Sequence, residues 1–114
     1  MTDCLFCRII SKEIPSKLVY EDEQVLAFED INPQAPTHIL IIPKKHVASL
    51  KAAEESDQEL LGYILLASRK IAEDKGLGNN GFRLVINTGP DSGQEVYHFH
   101  VHLLSGRRFG WPPG

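Results

Sequence analysis

Three histidines near the end of the chain alternate with apolar residues, since Phe99 and Val101 separate His98, His100 and His102. Side chains of a strand point to alternate faces, so this spacing predicts three imidazoles on one face and a buried opposite face. Imidazole titrates near neutral pH and can act as acid, base, metal ligand or nucleophile. Clustered histidines usually mark a functional site; the alternative is an exposed strand face with incidental histidines.

The spacing along the strand limits what these histidines can bind. At roughly 3.3 Å per residue, neighbouring histidines lie about 6.6 Å apart and the outer two about 13 Å apart. Two of them could converge on a metal ion, but the middle ring obstructs a site made of all three. An extended anion with several oxygens, such as a nucleotide phosphate, fits the row better.

A second candidate site lies near the start of the chain, where Cys4 and Cys7 form a Cys-X-X-Cys pair. A closed structural zinc site needs about four ligands, and this pair supplies two of them. Two reduced cysteines that bind nothing are the alternative. A redox pair is disfavoured, because no thioredoxin-like βαβ pattern follows the cysteines.

The elements that must position these side chains are predicted from periodicity and capping signals. A short helix is expected over residues 4–11 with Asp3 as its N-cap, and a long helix follows a capping box at residues 56–59 and ends near Lys75. Strands are expected at residues 18–20, 25–29, 37–43, 82–87 and 96–104. Strands and helices do not alternate, so we expect an α+β fold: an antiparallel sheet of about five strands with one long and one short helix.

Composition and charge exclude several classes of protein. A chain of 114 residues makes one domain, here residues 1–114, with residues 107–114 as an extended tail. A net charge of −3 is unsuited to binding nucleic acid through a broad basic surface. No apolar run approaches the roughly 20 residues that span a bilayer. Asp3 and Arg8 interrupt the place of a signal peptide, so we expect a cytoplasmic protein.

Several further segments form a recognisable series with the histidine row: Lys-Glu-Ile-Pro at 12–15, Asp-Ile-Asn-Pro-Gln-Ala-Pro-Thr-His at 30–38, Ile-Pro-Lys-Lys-His at 42–46, Gly-Gln-Glu-Val-Tyr-His at 93–98, Gly-Arg at 106–107 and Trp-Pro-Pro-Gly at 111–114. With them, essentially the whole chain resembles the histidine-triad (HIT) family, in particular its Hint-like branch of purine nucleoside phosphoramidases. The resemblance implies a homodimer whose protomers join their sheets edge to edge, with a purine nucleotide site on each protomer.

The resemblance assigns roles to the histidines. It implies that His100 is the nucleophile and carries a nucleotidyl group until water removes it. It implies that His102 donates to the phosphate, and that His98 and His38 belong to the network that orients the site. A carbonyl or side chain must hold the reacting tautomer of His100, and the residues alone do not identify it.

The resemblance also implies a nucleotide-binding set. Asp30 would accept hydrogen bonds from the ribose and Ile31 would pack on the sugar or base, although such an Asp can equally cap a turn. The glycine-containing loop before the histidines would offer N–H groups to phosphate, although such a loop alone is usually only a turn. The other members are Phe6, Ile9, Phe28, Asn87, Gly93, Gln94, Glu95, Val96, His100, His102 and Trp111.

Three kinds of residue in that set carry specific expectations. Glu95 stands where many family members have serine, so we expect its carboxylate to turn outward and its backbone N–H to contribute. Phe6, Ile9 and Phe28 could line a purine slot or belong to the plain core. Trp111 is expected to reach the partner's active site, because a large apolar side chain near a chain end is unfavourable when it is left exposed on a monomer.

For the cysteines, the resemblance implies structural zinc held by Cys4, Cys7, His46 and His98, in which case His98 serves the metal rather than the phosphate. No cofactor is expected for catalysis. The implied reaction is hydrolysis of the P–N bond of adenosine 5′-phosphoramidate and related N-linked AMP compounds through a nucleotidyl-histidine. One alternative is dinucleoside polyphosphate hydrolysis, against which the Gly-Arg pair and the Trp-Pro-Pro tail speak. The other is a non-catalytic nucleotide-binding or sensing module.

Overall fold

The computed structural model describes residues 3–114, which form a five-stranded antiparallel sheet and two α-helices. Helix α1 spans Leu5–Ile10 and helix α2 spans Gln58–Asp74. Strands β1 to β5 span Leu18–Glu21, Val25–Glu29, Thr37–Pro43, Phe82–Val85 and Val101–Ser105 and lie in the order β1-β2-β3-β5-β4. The predicted α+β fold, with one long and one short helix, is confirmed.

Both faces of the sheet are covered, which explains why β2 and β3 read as continuous apolar runs. Alternate residues of these strands enter two separate cores. The α2-side core contains Val25, Ala27, Ile39 and Ile41 together with Ile64, Ala67, Ile71 and Ala72 of the long helix. The α1-side core contains Leu26, Phe28, Leu40 and Ile42 together with Phe6 and Ile9 of the short helix.

The strand predicted over residues 96–104 is shorter than expected, because β5 begins only at Val101. Ladder pairing with β3 stops at Ile41 and Val101. Beyond that point Pro43 has no N–H to donate, and its carbonyl accepts from His98 Nε2 at 2.8 Å. The backbone N–H of Phe99 donates instead to the Val47 carbonyl at 2.6 Å.

The predicted alternation of faces nevertheless holds through this irregular segment. Phe99, Val101 and Leu103 belong to the α2-side core, as expected. The rings of His100 and His102 lie 5.0 Å apart between centroids, close enough to share one site.

Both helices begin differently from the prediction. The N-cap of α1 is Cys4, not Asp3, and its sulfur accepts the backbone N–H of Cys7 at 3.3 Å. A 3-10 turn over Glu55–Asp57 precedes α2, so the capping box at residues 56–59 is wrong. Instead, Asp57 accepts the backbone N–H of Glu54 at 2.9 Å and the Lys45 ammonium at 2.6 Å.

The segment after β5 runs beside the edge strand β4, which is two residues shorter than the predicted 82–87. Arg83 donates to the Gly110 carbonyl at 3.1 Å. The guanidinium groups of Arg83 and Arg107 lie 5.3 and 4.4 Å from the centre of the Phe109 ring.

Within the described residues, neither helix has the length and apolarity needed to cross a membrane.

Candidate functional site

A cleft of about 400 Å³ opens on the α1 side of the sheet. The polar members of the predicted nucleotide set that line it are Asp30, Asn87, Gly93, Glu95, His100 and His102. The apolar members that line it are Phe6, Ile9, Phe28, Ile31 and Val96. The tertiary structure thus brings together residues that are spread over almost a hundred positions of the chain.

Some lining residues were not anticipated from the sequence. Leu40 is one, although its signal was available: it shares a face of β3 with His38 and pairs with His102 across the ladder. Ile14, Pro15 and Ser16 also line the cleft, but they lie in irregular backbone, where no periodicity marks which side chains face inward.

A backbone carbonyl holds the tautomer of His100. Its Nδ1 lies 2.7 Å from the carbonyl oxygen of His98. A carbonyl can only accept, so Nδ1 carries the proton and donates, and Nε2 of the neutral ring keeps its lone pair. His100 therefore offers a nucleophilic nitrogen without a neighbouring carboxylate base.

His38 orients His102 through a chain of hydrogen bonds. The backbone N–H of Gln34 donates to Nδ1 of His38 at 3.0 Å, so that nitrogen carries the lone pair. Nε2–H of His38 then donates to Nδ1 of His102 at 2.9 Å. The proton of neutral His102 therefore sits on Nε2, which makes this ring a hydrogen-bond donor beside His100.

Burial keeps these rings neutral. Burial lowers the pKa of His102 to about 4, with the neighbouring His100 and His38 acting in the same direction and Asp30 opposing them. Burial also lowers the pKa of His100 and of His38, while Asp30 acts against both shifts. The tautomers assigned from the hydrogen bonds are therefore the forms present at neutral pH.

Asp30 serves two purposes at the mouth of the cleft. Its Oδ1 accepts the backbone N–H of Asn32 at 2.8 Å, which is the turn-capping role. Its Oδ2 lies 3.5 Å from Nε2 of His38. Ile31, the next residue, is 99 % exposed, so its side chain has no partner in the protomer core and is open to contact with a ligand.

Gln94 braces the loop before the histidines instead of lining the cleft. Its side-chain nitrogen donates to the carbonyls of Ala48 and Val96 at 3.0 and 3.2 Å. Its oxygen accepts the N–H of Gly89 at 2.8 Å. Gly89 and Gly93 have φ of 80° and 83°, a conformation that glycine adopts without strain. Gln94 thus shapes the loop that places Gly93 and Glu95 on the cleft.

The remaining predicted residues lie elsewhere. His98 does not line the cleft; it is fully buried, and its ring faces the cysteines. Trp111 is 83 % exposed and lies outside the cleft of its own protomer. Glu95 is exposed at the rim of the cleft.

Four metal-ligating side chains meet next to the cleft: Cys4, Cys7, His46 and His98. Nδ1 of His98 lies 3.3 Å from Sγ of Cys4, 3.6 Å from Sγ of Cys7 and 3.2 Å from Nδ1 of His46. A zinc tetrahedron with standard bond lengths has N–N edges of about 3.3 Å and N–S edges of about 3.6 Å. The donor set therefore has the size and chemistry of a structural zinc site.

The protonation of His98 suits a metal ligand. Nε2–H donates to the Pro43 carbonyl, which leaves the lone pair on Nδ1, the nitrogen that faces the sulfurs. Burial lowers the pKa of His98 to about 4, against the effect of the Pro43 hydrogen bond, so the ring is neutral.

A second group of potential ligands consists of Asp30, His38 and His102, whose donor atoms also lie within 4.8 Å of one another. In this group the facing nitrogens of the two histidines are already joined by a hydrogen bond.

The charge of the cleft is unusual for an anion site. Among residues 3–114, no lysine or arginine lines it, whereas Glu29, Asp30 and Glu95 do. Any phosphate bound here would be held by imidazole and backbone N–H donors, near the Asp30 carboxylate; the Glu29 carboxylate pairs with Lys17 at 3.7 Å, and Glu95 is exposed at the rim. Such a cleft favours a ligand with little negative charge.

Comparisons with known proteins agree with this geometry. The family model described as "HIT domain" matches residues 11–109. The chain is 59% identical over 112 residues to a 14 kDa zinc-binding protein of Zea mays, covering 96% of this chain and 87% of that protein. The crystal structure of a HIT family hydrolase from Legionella pneumophila superimposes with a TM-score of 0.96 at 54% identity, covering 98% of this chain and 100% of that one.

A more distant structure has the same fold. The histidine triad nucleotide-binding protein of Candida albicans superimposes with a TM-score of 0.83 at 35% identity, covering 96% of this chain and 83% of that one. The histidine row, the order of the five strands and these likenesses agree with one another, and the chain belongs to the HIT family.

Proposed function

We propose that this protein is a nucleotide-binding hydrolase that cleaves the P–N bond of adenosine 5′-phosphoramidate and related N-linked AMP compounds. One observation carries the proposal: the His98 carbonyl holds Nδ1–H of His100, so Nε2 of a cleft-lining imidazole keeps its lone pair. Membership of the HIT family, and relatives described as hydrolases and as nucleotide-binding, support the same conclusion.

In the proposed reaction, Nε2 of His100 attacks the α-phosphorus of the bound nucleotide. The P–N bond breaks, its electron pair stays on the leaving nitrogen, and that nitrogen takes up a proton from solvent water to leave as an amine. Nε2–H of His102 donates to a phosphate oxygen as charge develops there. Water then cleaves the phosphorus–imidazole bond, which releases AMP and restores His100.

The charge of the cleft favours a phosphoramidate over a dinucleoside polyphosphate. A phosphoramidate of AMP carries a single negative charge at phosphorus, whereas a polyphosphate bridge carries several. Asp30 lines the cleft and no described lysine or arginine does, so each further negative charge would be bound without a cationic partner. The same cleft can accept a neutral or cationic amine as the leaving group.

Replacing His100 tests the reaction. His100→Ala is expected to lower kcat for adenosine 5′-phosphoramidate by at least about 10³-fold, because no other side chain replaces the nucleophile. AMP should still bind, as measured by calorimetry. Tyr97→Phe is the matched control, since Tyr97 lies three positions away and is 47% exposed.

Three outcomes separate the candidate functions. Loss of phosphoramidate turnover in His100→Ala with AMP binding retained supports the hydrolase. Faster turnover of a dinucleoside tetraphosphate than of the phosphoramidate by the wild-type protein would favour the polyphosphate reaction. AMP binding without turnover of either substrate would identify a nucleotide-binding module.

We also propose that Cys4, Cys7, His46 and His98 hold one structural zinc ion. The distances among their donor atoms and the neutral His98 ring support this, and the Zea mays relative is described as zinc-binding. Bound zinc would supply a cross-link between the start of the chain and the segments that carry the two histidines. Elemental analysis should give about one zinc per chain, lost in Cys4→Ser and retained in the control Ser11→Ala.

A further inference from the structure

The short helix α1 carries residues of both sites. Cys4, its N-cap, and Cys7 belong to the metal-ligating cluster. Phe6 and Ile9, on the same helix, are buried and line the cleft. A helix of six residues is too short to be stable by itself, so tertiary contacts determine where it lies. Whatever anchors the cysteines therefore also positions one wall of the cleft.

Phe6 contacts the two histidines that belong to the different sites. Its ring is edge-on to His98 at 5.9 Å and to His100 at 5.1 Å between centroids. It also packs edge-on against Phe28 of β2, which lines the cleft as well, at 5.5 Å. Phe6 is only 4% exposed, so a shift of α1 must move the surroundings of His100.

A second connection runs through the backbone of His98. One ring nitrogen faces the cysteines and the other donates to the Pro43 carbonyl, so this fully buried ring is held from two sides. The carbonyl of the same residue accepts from Nδ1 of His100. The position of the proposed nucleophile is therefore tied to a metal-ligating residue by one peptide unit.

We propose that Cys4, Cys7 and His46 are positioning residues for the nucleotide site: occupancy of the metal-ligating cluster and binding of nucleotide reinforce each other through Phe6 and His98. This inference rests on the proposed nucleotide and zinc sites and adds a coupling between them. Coupling between two sites is reciprocal, so each ligand must raise the affinity of the other by the same factor.

The test measures that factor from both directions in the full-length protein. Calorimetry gives the Kd of AMP for the zinc-loaded and the chelator-stripped protein, with far-UV circular dichroism to show that both are folded. Competition with a chromophoric chelator gives the Kd of zinc with and without saturating AMP. We expect both Kd values to fall by the same factor, about 10-fold. The second arm starts from the loaded, folded protein.

A substitution at the connection tests the route. Phe6→Leu keeps all four metal-ligating side chains and is expected to reduce the mutual effect to about 3-fold or less. The control Ser11→Ala removes a side-chain hydrogen bond to the Arg8 carbonyl at the end of α1 but touches neither site, and it should retain the full effect. An unchanged factor in Phe6→Leu would contradict the assigned route.

The failures of the coupling and of the proposed function are distinguishable. If zinc and AMP both bind and neither changes the Kd of the other, the coupling is overturned and the nucleotide site is not. A protein that binds AMP in neither form would overturn the nucleotide site and the coupling with it. Matching factors in the two arms support the proposal.

Discussion

On the α2 side of the sheet, Ile41, Val101 and Leu103 belong to one apolar cluster with Ile64 and Ile71, and apolar contact dominates this layer. On the α1 side, the neighbouring positions of the same strands hold histidines that are buried among apolar residues and hydrogen-bonded to one another or to backbone carbonyls. Within the described residues, no buried side-chain nitrogen or oxygen lacks a partner. One sheet thus separates a layer that stabilises the fold from a layer that holds the chemistry.

The difference shows what each layer tolerates. An apolar layer loses stability in proportion to the volume removed, and it keeps its arrangement. A buried polar network depends on every member, because one lost partner leaves a neighbouring donor or acceptor unsatisfied. Substitutions on the α2 side should therefore change stability, and substitutions on the α1 side should change activity.

The largest effect is expected on the α2 side. Ile64→Ala removes a fully buried side chain and should lower the free energy of unfolding by about 2–5 kcal/mol, measured by urea denaturation. Leu65→Ala is the control, because Leu65 is 46% exposed on the same helix and should change stability by less than about 0.5 kcal/mol. A loss of the proposed phosphoramidase turnover in folded Ile64→Ala would contradict the separation of the two layers.

The next effect concerns the α1 side. His38→Ala removes the donor that holds His102, so kcat is expected to fall by about 10²-fold while KM changes little. Steady-state kinetics of the folded variant measures both. Thr37→Ala, one position earlier and on the other face of β3, should keep wild-type kinetics. A rise in KM with unchanged kcat would show that His38 serves binding and not the orientation of His102.

A smaller effect is expected at the hairpin between β1 and β2, which is remote from both sites. Burial acts to raise the pKa of Asp22, but hydrogen bonds from Tyr63, Val25, Gln24 and Tyr20 outweigh it and lower the pKa to about 2. The charged carboxylate therefore stabilises the fold above its ordinary pKa of 3.8, and this contribution is lost as the pH falls through about 2.

Asp22→Asn tests this stabilisation directly. The wild-type protein should unfold at a higher urea concentration than Asp22→Asn at pH 7, and the difference should shrink between about pH 4 and pH 2. Glu23→Gln, at the exposed neighbouring position, should change neither the midpoint nor its pH dependence. A difference that is constant over this pH range would show that the carboxylate charge is not responsible.

The smallest effect on a single protomer concerns the tail. Trp111→Ala should leave the unfolding midpoint nearly unchanged, because the side chain is 83% exposed. If Trp111 reaches the partner's active site in a homodimer, the ratio of kcat/KM for a small and a bulky leaving amine should change severalfold. Deletion of residues 107–114 should change the same ratio. Identical ratios would argue against a role of the tail in leaving-group choice.

Much of the fold could be predicted because local patterns and tertiary packing agree. Strand β3 is observed at the predicted residues, since a seven-residue apolar run suits a strand covered on both faces. Strands β1 and β2 are also observed close to the predicted residues, and they pair as an antiparallel hairpin. Helix α2 is confirmed; its buried face is Ile64, Ala67, Ser68, Ile71 and Ala72, whereas Leu65 faces outward.

The candidate site could be predicted in membership more than in geometry. The period of two correctly separates His100 and His102 from Phe99 and Val101, and the cysteine spacing marks a ligand pair. No pattern could indicate that the Pro43 carbonyl ends the ladder by accepting from His98. Nor could a sequence pattern indicate that Gln94 folds inward to brace its loop. Both features depend on hydrogen bonds to segments some fifty residues away.

Residue types and their order along the chain were enough to indicate which groups are available for chemistry: a row of imidazoles, a thiol pair, a loop rich in glycine, and an apolar pattern for the elements that carry them. Protonation and direction required the folded molecule. Which ring His38 donates to and which site His98 serves depend on hydrogen bonds between segments more than sixty residues apart. Which nitrogen of His100 bears the proton depends on the direction of the nearby His98 carbonyl. The burial of apolar surface in the two cores brings the distant segments together.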